Sequence, residues 1–300
     1  MHRSFVPIAL VLAVAVGCAS QDAGNAADGP LDATDASLDA TADARYEAAI
    51  LPEAAVDDGL VRPSSPECEG PDGGPPMAYL PDGFCIDRTE VTVSQYDAWL
   101  ASGPPTDTSP ACQFNETFEP NDICMDMAGV CEGDCDDHPR VCVDWCDASA
   151  YCKGVGKQLC GSLRGEAASW TDFGDPGKDA WQAACSSGGQ FQFTYGDDHD
   201  SACHDGYPTG GQGTEEVGTR ASCQSPDPAY AGVFDLTGNV WEWEDACEGT
   251  GPHDRCRMRG GGFRDPHLGY CDFDQVTETR LIHRESVNPD IGFRCCLYPD

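Results

Sequence analysis

"GVFDLTGNVWEWEDAC", residues 232–247, is the most constrained stretch of the chain. If Val240 to Trp243 is extended, Trp241 and Trp243 point to one face and Val240 and Glu242 to the other, because successive side chains of a strand alternate. Two indoles on one side make a core face. Glu242 then lies beside buried aromatics, where an unpaired carboxylate is costly, so it requires a cation or hydrogen-bond donors. Two partners answer that need: Arg259 as an ion pair, or a calcium ion held by Asn239, a backbone carbonyl and Glu242. Oxygen ligands in an acidic, exported chain suit calcium.

Working outward, "GFCIDRTEVTVSQYDAWLAS" begins as a strand, with Phe84, Ile86 and Val91 apolar and polar residues between. From Thr92 it turns to helical spacing, Val93, Tyr96 and Leu100 falling three to four apart. A second helix is predicted at "DWCDASAYCKGVGK": Asp144 caps it, Trp145, Ala148, Cys152 and Val155 share one face, and Gly156 closes it. The third is "DAWQAAC", residues 179–185, ended by "SSGG". Elsewhere Gly, Pro, Asp and Ser recur about every ten residues, which excludes long helices and indicates irregular loops over a modest sheet. There is no dinucleotide-binding glycine motif, phosphate-cradling Gly-Lys-Ser loop or Gly-x-Ser-x-Gly elbow.

The amino terminus reads as an export signal. His2 and Arg3 precede an apolar run from Phe5 to Val16 that ends in Ala15, Val16, Gly17 and Cys18. The run is too short for a spanning helix, which takes roughly 20 residues. Small residues directly before a cysteine resemble a lipobox, so residues 1–18 are expected to be a lipoprotein signal with Cys18 acylated, the acyl chains forming the membrane anchor. Residues 19–67 carry eleven acidic and two basic side chains and almost no large apolar ones. So little apolar surface cannot offset the entropy of ordering, and the segment reads as a disordered acidic tether. The third region, residues 68–300, is the folded domain. The expected location is the cell envelope, as an outer-membrane lipoprotein facing the periplasm or the surface.

Of the net charge of −35, −27 falls on residues 68–300. Such a field repels phosphate backbones and anionic lipid, excluding nucleic acid as a partner and favouring divalent cations. The domain holds 18 of the 19 cysteines, an even number in an exported chain, which points to disulfides. In "CMDMAGVCEGDCDDHPRVCVDWC", Cys131, Cys135, Cys142 and Cys146 lie near His138 in a set that zinc accepts. The oxidising compartment and the wide Cys-x-x-x-Cys spacing favour disulfides there.

Six stretches then fall in a familiar order: "FCIDRTEVTVSQYDAWL", "VDWCDASAYCKGVGKQL", "AWQAACSSGG", "FDLTGNVWEW", "RGGGF" and "IGFRC". Over roughly residues 76–297 the chain resembles the sulfatase-modifying-factor family, whose type member is the formylglycine-generating enzyme. The resemblance implies an α+β, elaborated C-type-lectin-like fold with low regular secondary structure and multiple disulfides. It implies calcium bound by Asn239, the Val240 carbonyl and Glu242. It also implies a disulfide between Cys152 and Cys295. A second family bridge starts from the "AAC" helix, hence Cys185, but its usual partner position holds Val276, and Cys271 is one of several substitutes.

The family's enzyme oxidises a cysteine of a sulfatase peptide with copper and dioxygen, using two thiolates after "RGGS" to hold Cu(I), which prefers soft sulfur ligands. In "RGGGFRDPHLGYC", residues 259–271, Gly262 stands for the serine and Asp265 for the first copper cysteine. The second falls at Tyr270, one residue before Cys271. One thiol is missing, and pairing all 18 cysteines leaves none free. His267 reads as a solvated or hydrogen-bonded loop histidine rather than a base. The family's iron-dependent sulfoxide synthases carry an extra helical domain with histidines, and residues 19–67 contain none.

The reading that follows is an envelope-anchored, non-catalytic, calcium-stabilised recognition module for an envelope or extracellular protein or a glycan, with Tyr195, Tyr207 and Tyr230 as groove candidates. The alternative is a copper-dependent formylglycine-generating oxidase with a rearranged thiol pair that includes Cys271.

Overall fold

The architecture turns on one crossing near the carboxyl terminus. The computed structural model describes residues 68, 74–105, 109–125, 130–131, 133–206, 210–266, 268–273 and 282–299. Residues 1–67, where a signal, acylated Cys18 and a tether are expected, lie outside them, as do Tyr207, His267 and Val276. All the described residues belong to one unit, 57–300.

Strands β1 (Met77–Tyr79), β2 (Cys85–Asp87), β3 (Gln158–Leu159) and β7 (Cys295–Leu297) form a four-stranded sheet in the order β1-β2-β7-β3, antiparallel throughout. Strands β4 (Trp241–Cys247), β5 (Cys256–Arg259) and β6 (Ile291–Phe293) form a second sheet in the order β5-β4-β6. Here β4 pairs antiparallel with β5 and parallel with β6. Only Arg294 separates β6 from β7, so the chain passes from one sheet to the other through that residue.

The predicted helices form where capping dictates. Helix α1 (Val93–Ala101) starts at Thr92, whose side chain accepts from the Gln95 amide while Gln95 reaches back to the Thr92 amide. A short α2 (Asp122–Met125) precedes α3 (Trp145–Gly154), where Asp144 and Asp147 make the same reciprocal exchange. Helix α4 (Ala180–Cys185) is capped by Asp179. Each box satisfies amides that the first turn leaves without partners. The first strand is shorter than the apolar spacing indicated: β2 ends at Asp87, and Val91 lies beyond it. All three β2 residues are buried, so alternation does not mark its faces. Among the described residues no helix is long and apolar enough to cross a membrane.

Trp241 and Trp243 share one core with Tyr96, Trp99, Tyr151 and Phe293. Tyr96 stacks on Tyr151 at 5.5 Å, and Phe293 meets both rings edge-on. A second core joins Phe84 and Ile86 to Trp181, Val233 and Leu236. Nine disulfides supplement this packing: 68–85, 112–146, 124–142, 131–135, 152–295, 160–296, 185–271, 203–223 and 247–256. They use all 18 cysteines from Cys68 onward. The sulfurs weighed for zinc are divided among three bridges, 131–135, 124–142 and 112–146, and none is a thiolate ligand.

Candidate functional site

Two neighbouring features carry the site residues: the crossing beneath β4 and the loop after β5, residues 260–273. At the crossing Glu242 is completely buried. It pairs in register with Arg259 on β5 and Gly292 on β6, yet its side chain takes neither. Arg294 donates from Nε to both carboxylate oxygens, at 2.9 and 2.8 Å, and from Nη2 to Oε1 at 2.7 Å. Trp181 Nε1 donates to Oε2 at 2.9 Å. The cation that Glu242 requires is therefore Arg294, brought in by the passage between sheets, and the expected Arg259 pair does not form. Arg259 instead donates to Gln182 Oε1 and to the Cys271 carbonyl, with Glu244 Oε2 at 3.5 Å.

The calcium set fares accordingly. The Asn239 Oδ1 accepts from the Glu215 amide, and its Nδ2 donates to Glu90 Oε1 and the Glu215 carbonyl. Val240 is buried just before β4. With both Glu242 oxygens and the Asn239 amide engaged by protein groups, the three residues as arranged do not fit a calcium ion, which takes 6–8 oxygen ligands. Among the described residues no three His, Cys, Asp or Glu side chains are grouped to hold a metal. Around Arg294 lie two further buried carboxyls, Glu90 and Asp235. Burial, reinforced by neighbouring carboxylates, pushes Glu90 well above the usual carboxylate range and Asp235 up to about 6.

The loop after β5 is shaped by close approach. Gly260 has φ +90°, and a Cβ there would lie 2.6 Å from the Leu236 carbonyl oxygen. A Cβ at Gly262 would sit 3.2 Å from the Trp241 ring, tighter than ordinary contact, so a serine there would press on the indole. Asp265 accepts from Trp241 Nε1 at 2.7 Å. Cys271 is buried, bonded to Cys185 of α4, and donates its amide to the Gln192 carbonyl. A carboxylate bound to an indole and a sulfur locked in a disulfide do not make a two-thiolate Cu(I) site, so the residues here do not fit copper. The Cys152 and Cys295 sulfurs are joined, pinning α3 to β7.

Of the groove candidates Tyr207 lies outside the described residues, and Tyr195 and Tyr230 have separate partners. Tyr230 is buried and donates to Asp82 Oδ2, while Tyr195 stacks on Phe193 beside Tyr270. An open cleft of about 630 Å³ lies elsewhere, lined by Phe114, Asn115, Glu119, Asp144, Asp147 and Glu285 among others. Burial first, then Asp144, pushes Asp147 up to about 8; Asp144 rises to about 6, mainly by burial. Among the described residues no basic side chain lines this cleft, so anionic ligands are disfavoured there. The sequence reading assigned Asp144 only a capping role, and the cleft depends on residues some 170 positions apart (Phe114 to Glu285), which no local pattern signals.

Residues 53–298 match the sulfatase-modifying factor enzyme 1-like domain. The chain belongs to this family. It is similar to the inactive C-alpha-formylglycine-generating enzyme 2 of Bos taurus, 28% identical over 169 residues, covering 52% of this chain and 49% of that one. It is also similar to the formylglycine-generating enzymes of Mus musculus, 26% identical over 178 residues (53% and 44%), and Streptomyces coelicolor, 27% over 188 residues (53% and 52%). The chain spans about half the length of these relatives. Among solved structures, CarF aligns with a TM-score of 0.49 at 20% identity, covering 72% of this chain and 87% of CarF. PvdO of Pseudomonas aeruginosa aligns with 0.44 at 20%, covering 72% and 80%. The fold is α+β, of the formylglycine-generating-enzyme type, with short helices, two small sheets and many disulfides.

Proposed function

We propose that this sulfatase-modifying-factor-like domain is a non-catalytic recognition module, held at the cell envelope by acylated Cys18 and the tether of residues 19–67. One observation carries the reading: Cys271, the sulfur nearest the family's copper position, is bonded to Cys185, and no cysteine from Cys68 onward is a free thiol. Cu(I) chemistry needs two soft thiolates, and Asp265 offers a hard oxygen already engaged by Trp241. The ligand in this reading is an envelope or extracellular protein or a glycan. The bracing that the family resemblance assigns to calcium is filled by Arg294 and the disulfides.

Relatives named formylglycine-generating enzyme and inactive C-alpha-formylglycine-generating enzyme 2 match at similar identity, so the oxidase is the reading to test against. Purified, unreduced protein is incubated with Cu(I) and a cysteine peptide of the sulfatase type, and its accessible thiols are titrated. The expected result is no thiol, no tight copper binding and no aldehyde. Two titratable thiols with aldehyde formation would establish the oxidase instead.

A further inference from the structure

Cys131 and Cys135 differ from the other bridged cysteines in where they sit. In seven of the nine bridges both residues are buried, whereas Cys131 and Cys135 are both partly exposed. The remaining bridge is mixed, Cys247 being partly exposed and Cys256 fully buried in the aromatic core. Exposure decides reactivity, because exchange requires a thiolate to reach one sulfur and the other sulfur to leave as a thiolate. At 247–256, attack on the reachable Cys247 sulfur expels the Cys256 thiolate into apolar surroundings, where burial disfavours the anion. At 131–135 either sulfur can be attacked and either leaves into water.

We propose that the Cys131–Cys135 bridge is a thiol–disulfide exchange site, the bridge a small dithiol opens while the rest of the domain stays folded. In the exchange one thiolate of the dithiol attacks one sulfur of the pair. The S–S bond breaks, the other sulfur leaves as a thiolate, and a mixed disulfide forms. The second thiolate of the dithiol then resolves it. The dithiol ends as a disulfide, and the protein pair gains two electrons and takes two protons from water.

The surroundings define both the reagent and the consequence. Asp134, Asp136 and Asp137 flank the pair on the exposed side, so a neutral dithiol is preferred over an anionic thiol. The segment that follows is held independently of the bridge. The Asp136 and His138 carbonyls accept from Ser94 and Val93 at the start of α1, and the Asp137 carbonyl accepts from Val217. His138 Nδ1 lies 2.8 Å from Thr214 Oγ1. Opening the bridge therefore leaves α1 capped.

The test treats the purified full chain with graded dithiothreitol, alkylates free thiols, maps them by peptide mass spectrometry and follows folding by near-ultraviolet circular dichroism. The expected result is alkylation of Cys131 and Cys135 first, with the spectrum unchanged, and slower opening by glutathione at equal thiolate concentration. Loss of the spectrum before any thiol appears, first labelling at Cys247 and Cys256, or glutathione matching dithiothreitol would overturn it. A Cys131→Ser/Cys135→Ser variant is expected to lose the early two-thiol step and keep the later ones. Persistence of that step would also overturn it.

Discussion

The crossing at Arg294 and the loop after β5 are both dense in polar groups, and they neutralise them differently. At the crossing the solution is noncovalent and long-range. Glu242 from β4, Trp181 from α4 and Arg294 from the link between sheets meet in one buried group, with both oxygens of the Glu242 carboxylate engaged. In the loop the solution is partly covalent. Asp265 takes the Trp241 indole, and Cys271 is bonded to Cys185 and lends its carbonyl to Arg259. The difference teaches that the buried charge at the crossing is held by side chains alone, while Asp265 and Cys271 in the loop are held by an indole hydrogen bond and a disulfide.

The largest expected effect is at the crossing. Arg294→Ala leaves Glu242, Glu90 and Asp235 buried without their cation, and breaking such a group costs about 3–5 kcal/mol. Urea unfolding checks it, and a loss under 1 kcal/mol would break the claim that Arg294 substitutes for a metal. Next, Cys185→Ala/Cys271→Ala removes the loop's covalent link at a cost of about 2–4 kcal/mol. Cu(I) affinity measured on the same variant should match that of the parent chain. A smaller loss, about 1–3 kcal/mol, is expected for Asp265→Ala, which strands the Trp241 Nε1 donor. Thermal melts comparing it with Asp265→Asn separate the lost acceptor from the lost charge.

Asp147 supplies a carboxylate outside both regions. Its folded value, about 8, lies above the usual carboxylate range. Its contribution is therefore fully present below about pH 4 and is lost as pH rises through about 8. Asp147→Asn should flatten the melting temperature between pH 5 and pH 9; an unchanged slope would assign that dependence to the crossing carboxyls instead. The smallest expected effect is that of a chelator, which should leave the melting temperature unmoved, since a ligand bound only to the folded state stabilises it. A clear drop would restore calcium to the crossing.

Much of the scaffold was legible locally. Asp144 announced its helix because a cap acts within three residues of itself, and the stretches starting at Thr92 and Asp179 read as helical, with their caps supplied by the structure. The face shared by Trp241 and Trp243 followed from strand alternation. The even cysteine count foretold that the domain's sulfur would be paired. The family resemblance, not spacing, supplied the bond between Cys152 and Cys295. Arg259 and a calcium ion were the two partners open for Glu242, whereas the guanidinium that reaches it, Arg294, is 52 residues away in sequence.

The chain by itself determined the class of the molecule: short capped helices, a tryptophan-bearing strand, paired cysteines and an acidic surface, all written in patterns a few residues long. Only the tertiary structure decided which carboxylate met which cation, which cysteine closed on Cys271, and which bridge stayed within reach of solvent. Those outcomes depend on distances between segments far apart in sequence. Such distances exist only once both sheets have formed and Arg294 has joined them.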